Sequence, residues 1–217
     1  MKRTSLLLIL CLFSAFLSGI SLKEVYDAAA AQDGYDKYLD LETGVTYEGG
    51  LFIGNVFNRF TNQYEGDLGE NVMIKGNGAI LDLQGQQITI SFTDKRLDIE
   101  ECIIINGNIR FRGVNSEDYV LTPAGSVKQV TFYKPHDYAV RAQAAGEGIV
   151  LENNITVDVQ ATGDDYVAIS GFPLEWLPTG ISFALDLVEQ IPEMDNNFSY
   201  FSNEVTNADS VWHFTML

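Results

Sequence analysis

The side chains able to do chemistry are few and unevenly placed. There are two histidines, His136 and His213, and two cysteines, Cys11 and Cys102. Cys102 lies in the apolar run Glu-Cys-Ile-Ile-Ile, which marks it as a small buried hydrophobe rather than a nucleophile or a zinc ligand. Carboxylates abound: 30 Asp and Glu against 13 Lys and Arg, a net charge of −17. Two groups are dense enough to offer a hard cation several oxygens. One is Asp158 with Asp164 and Asp165; the other is Asp94 with Asp98, Glu100 and Glu101. Neither has EF-hand or nonapeptide spacing, so calcium is possible without being specified, and no other cofactor is indicated. Gly163-Asp164-Asp165 is also the composition of a tight turn between strands. The scarce cations carry more information. Arg110 and Arg112 flank Phe111, and residues two apart in a strand share a face. Both are expected to point outward, where they can contact a sugar carboxylate or pair with Asp and Glu on neighbouring strands. Tyrosines are scattered along the chain, Tyr166 among them, and can pack or stack on sugar rings.

So acidic a surface repels nucleic acid and anionic membranes. It also repels a polyanionic sugar unless a local basic patch or a bound cation intervenes. Residues 1–21 have the layout of a secretory signal peptide. Lys2 and Arg3 precede the apolar run Leu6 to Leu17, and Ser18, Gly19 and Ser21 follow. That run is short for a bilayer span, so the expectation is export without a membrane anchor. Cys102 is then the one cysteine left, and no internal disulfide can form.

The elements that must position these groups are short strands. From Val72 to Phe111, runs of three to five apolar-rich residues alternate with Gly, Asn and Asp. No run is long enough for a helix. Coils of three strands begin near residues 39, 72, 97, 128 and 149. Polar excursions at Asn55 to Asn71 and Gly113 to Gly125 lengthen two of them. Such a pattern fits a parallel β-solenoid better than an antiparallel sandwich, because the strands are short and Ile103 to Ile105 reads as covered on both faces. Leu22 to Ala31 is expected to form a short N-terminal helical cap. After Gly171 the texture changes, and residues 171–217 are expected to be an irregular or capping segment.

The segments KGNGAILDLQGQQITIS and GIVLENNITVDVQATG resemble the right-handed parallel β-helix superfamily of pectin-lyase-like proteins, in particular secreted bacterial surface proteins with repeats. The resemblance runs from about Leu39 to Ser170. It implies an all-β, right-handed parallel β-helix of about five rungs over residues 22–170. A sharper local likeness is TGDDYVAISG, which resembles the paired-aspartate segment of polygalacturonases. It implies Asp164 and Asp165 as acid and base in inverting hydrolysis of a glycosidic bond, with Tyr166 beside them. The preceding coil holds no Asn-Thr-Asp, and no Gly-His-Gly follows. The leading expectation is therefore a secreted or cell-surface module, non-catalytic, serving adhesion, structure or glycan binding. The alternative is a polysaccharide hydrolase or lyase working through Asp164 and Asp165, with Arg110, Arg112 and Tyr166 holding the substrate. Extracellular polysaccharide or cell-surface glycan is the expected partner in either case.

Overall fold

The structure, a computed structural model, describes residues 19–66, 69–115, 120–135, 138–143 and 148–157, with 169–170, 193–196, 198–201, 204–207 and 212–213. The described residues are all-β apart from one helix, Leu22–Ala28. Ser21 caps that helix by accepting from the Glu24 backbone N–H at 3.3 Å.

Strands come in triplets, and each member of a triplet joins a different sheet. The first sheet is ordered Lys37–Asp40, Val72–Lys75, Arg96–Glu100, Ala124–Lys128, Ile149–Glu152 and Glu193–Asp195. The second begins with Ile20–Ser21 and continues through Thr46–Glu48, Ile80–Asp82, Ile103–Ile105, Thr131–Tyr133, Ile155–Val157 and Phe198–Phe201. The third is ordered Leu51–Gly54, Gln87–Ser91, Asn108–Arg112, Val140–Gln143, Ile169–Ser170 and Trp212–His213. Every pairing named so far is parallel. Parallel strands stacked in this order are compatible with a β-helix.

Register follows the side chains. Leu39, Ile74, Ile99, Val127 and Leu151 stand opposite one another down the first sheet, all buried. Ile53, Ile90, Phe111 and Ala142 do the same in the third. A one-residue slip would turn each such column to water, so burial pins the pairing. Charge pins it again outside. Asp40, Lys75, Glu100, Lys128 and Glu152 alternate in sign down one column. Lys75 bridges Glu100 at 3.2 Å and Lys128 bridges Glu152 at 3.0 Å.

In the last four triplets the bend between the first and second sheets is made by a single left-handed residue: Glu101, Gln129, Asn153 and Asn196, with φ between 55° and 58°. Each turns the chain at little cost in length, and the residue after it drops inward in three triplets: Cys102, Val130 and Asn154 are buried. Asn154 is held there by donating to the Val127 carbonyl at 2.8 Å and accepting from the Val130 N–H at 3.0 Å. Burial pushes the Cys102 thiol up to about 12, so it is inert as a nucleophile.

One expectation needs correcting. Ile103–Ile105 is not covered on both faces. Ile104 is buried, Ile103 is exposed and Ile105 is half-buried. Three isoleucines in a row mark an apolar outer face on the second sheet, not a doubly buried strand. The two polar excursions both carry antiparallel pairs. Val56–Asn58 pairs with Gln63–Glu65, and Val114–Asn115 with Val120–Leu121. Each lies between a strand of the third sheet and the next strand of the first. They therefore rise from the same edge, two triplets apart.

Candidate functional site

The outer face of the third sheet gathers the cations that this acidic chain has in short supply. In Asn108–Arg112, Ile109 and Phe111 point into the core and are buried, while Arg110 and Arg112 are half-buried outside. In Val140–Gln143 the same alternation buries Val140 and Ala142 and sets Arg141 outward. Register then places Arg141 directly opposite Arg110, and Gln143 opposite Arg112. Two like charges directly opposite on neighbouring strands oppose folding.

Neighbouring groups orient the three guanidiniums. Arg110 donates Nε to the Gln143 Oε1 at 2.9 Å, and its Nη2 reaches the same oxygen. Arg112 lies over the Phe92 ring at 4.5 Å from its centroid. Arg141 lies over the Tyr138 ring at 5.5 Å. Two aromatic walls thus bracket the arginines. On one side Tyr138 is buried and bonded through its hydroxyl to Gln87 Nε2 at 3.3 Å. On the other, the Phe92 ring packs on Tyr64 at 4.6 Å, and Tyr64 on Phe57 at 5.0 Å, both from the first excursion. A guanidinium stacked on a ring keeps its in-plane N–H edge available, which is the geometry for an oxyanion.

Phe92 adopts φ 46°, a left-handed conformation uncommon for a bulky residue. Its ring is buried all the same. The Asn55 side chain holds its carbonyl with a 2.7 Å hydrogen bond. Strain of this kind clusters where a site must be held in place. Burial, together with the positive charges of Arg141 and Arg59, pulls the Arg112 guanidinium below its usual range. It remains a cation at neutral pH.

Pairing of the arginines with acids was one sequence expectation. That expectation concerned Arg110 and Arg112; among the described residues Arg112 forms no ion pair, and neither does Arg141. The Arg141 Nε is buried with no hydrogen-bond partner among those residues. Asp164, Asp165 and Tyr166, together with Asp158, His136 and Asp137, lie outside the described residues. The second acidic cluster is dispersed. Asp98 accepts from Tyr35, Arg96 and Ser126, Glu100 pairs with Lys75, and Asp94 with Lys95. Among the described residues no three potential metal ligands come together. Nor is any helix there long and apolar enough to cross a membrane.

Sequence reasoning found Arg110 and Arg112 but not their grouping with Arg141. The signal is present: Ile-Arg-Phe at 109–111 and Val-Arg-Ala at 140–142 are the same apolar-Arg-apolar unit one triplet apart. Phe92 and Gln143 leave no such trace. Comparison of the chain with protein-family models, with curated proteins and with solved structures finds no match in any of the three.

Proposed function

We propose that this chain is a secreted or cell-surface right-handed parallel β-helix of the pectin-lyase-like kind, and that it binds an acidic glycan without transforming it. Each strand triplet is one rung of the stack, and the ligand lies on the outer face of the third sheet. The observation that carries this reading is the trio Arg110, Arg112 and Arg141. Arg110 and Arg141 are set in register on neighbouring strands, and Arg112 and Arg141 are stacked on rings, on a chain of net charge −17. Arg112 and Arg141 repel each other, and a bound oxyanion offsets that repulsion. The local basic patch is also what an acidic protein needs to hold a polyanion at all.

Binding to immobilised polygalacturonate tests the proposal. Wild type is expected to be retained at low salt and released as salt rises, with no retention on uncharged dextran. Arg112→Ala with Arg141→Ala is expected to weaken retention at least about tenfold, or roughly 1.4 kcal/mol. Equal retention of variant and wild type overturns the assignment of the site. Release of shortened sugar from soluble polygalacturonate, abolished in Asp164→Asn, replaces it with a hydrolase.

A further inference from the structure

Phe52 on the same face is explained neither by the core nor by charge. Phe52 is 50% exposed, although its neighbours Leu51 and Ile53 are buried. Register puts Phe52 opposite Thr89, Thr89 opposite Arg110, and Arg110 opposite Arg141. These four side chains form one outward column across four consecutive strands. Neighbouring strands lie about 4.8 Å apart, so Phe52 stands about 14 Å from Arg141 along the column. Gly50 and Gly54, two residues to either side of Phe52, have no side chains to cover its ring. Neither can gain one cheaply. A Cβ on Gly50 would meet the Gln87 carbonyl oxygen at 2.4 Å, and one on Gly54 the Ser91 carbonyl oxygen at 2.3 Å.

A column with a bare aromatic ring at one end, a hydroxyl next, and two cations at the other suits a particular ligand. It must carry an apolar C–H face and an acid group, some three strand spacings apart. In an extended hexose chain each unit advances by a length close to one such spacing. Three to four units laid across the strands would reach from ring to arginines. An inorganic anion or a single uronic acid would touch one end only.

We propose that Phe52 is a second glycan subsite, which takes the apolar face of a sugar ring about three units away from the acidic unit held by Arg110 and Arg141. This rests on the glycan-binding reading above and adds the direction and minimum length of the bound chain. Titration calorimetry with galacturonic acid oligomers of one, two, four and six units tests it. Affinity is expected to climb between two and four units and level off by six. Phe52→Ala is expected to lose at least tenfold on the tetramer and nothing measurable on the dimer, while Phe52→Tyr keeps the tetramer affinity. Arg141→Ala is expected to weaken both. Circular dichroism melting of each variant shows that the fold is kept. If Arg141→Ala loses affinity while folded Phe52→Ala binds the tetramer as wild type does, the subsite is wrong and the glycan reading stands. A wild-type affinity that does not depend on length likewise removes the subsite and leaves the glycan reading in place. If wild type binds no oligomer of any length, both fall.

Discussion

Replacing Asp98 by alanine removes a nearly buried acceptor on which four hydrogen bonds converge. Its carboxylate, 4% exposed, accepts from Arg96 Nε at 2.5 Å and Nη2 at 2.8 Å, from the Tyr35 hydroxyl at 2.9 Å, and from Ser126 Oγ at 2.7 Å. It ties together the N-terminal arm, its own strand and the next triplet. Arg96 also lies over the Tyr35 ring at 5.7 Å. Breaking a buried charged pair by removing one partner costs about 3–5 kcal/mol. The Arg96 side chain is half exposed, so water screens its part and the lower end applies, about 3 kcal/mol. In a domain of this size that lowers the melting temperature by about 6–12 °C. Urea unfolding followed by circular dichroism should show a lower midpoint with an unchanged slope, the mark of lost stability without a change in the surface exposed. Ser126→Ala, which removes one of the four bonds, should cost less. A melting temperature for Asp98→Ala within about 2 °C of wild type would mean that the cluster is a surface decoration without a share in stability.

Three further outcomes follow from the same structure. Gly125→Ala should destabilise by at least about 2–3 kcal/mol in urea titration, since φ there is +144° and a Cβ would sit 1.9 Å from the Leu97 carbonyl oxygen; an unchanged midpoint would mean the first sheet can shift there freely. Burial, and then the hydrogen bond to Asp98, push the Tyr35 hydroxyl up to about 12. Its contribution is thus whole below pH 10 and lost as pH climbs toward 12, because the unfolded chain releases that proton first; Tyr35→Phe should flatten this part of a stability-versus-pH curve. Lys128→Glu would set three carboxylates in a row between Glu100 and Glu152. The loss should be about 0.5–1 kcal/mol at low salt and shrink in 1 M NaCl, read as two melting curves.

Much of the architecture was legible because it is local. Alternation within Asn108–Arg112 tells which side chains face the core, and Gly, Asn or Asp between two short apolar runs marks bends, although the bend at Gln129 left no such mark. The triplet rhythm was visible for the same reason. The outward setting of Arg110 and Arg112 could be read from Phe111 between them. Ile103–Ile105 misled because apolar composition alone does not distinguish a strand covered on both faces from one with an apolar outer face.

Residue types and spacing alone specify short strands in groups of three, an acidic composition and a pair of outward arginines. They do so through periodicities of a few residues, which depend only on backbone geometry. Which side chains share a column depends on the strand register. Successive triplets differ in length by the excursions between them, so no fixed spacing relates Phe52, Thr89, Arg110 and Arg141. Their alignment comes from inward-facing columns that lock the register, with Leu51, Ile88, Ile109 and Val140 stacked beneath them. The core sets the register, and the register assembles the face on which the candidate site stands.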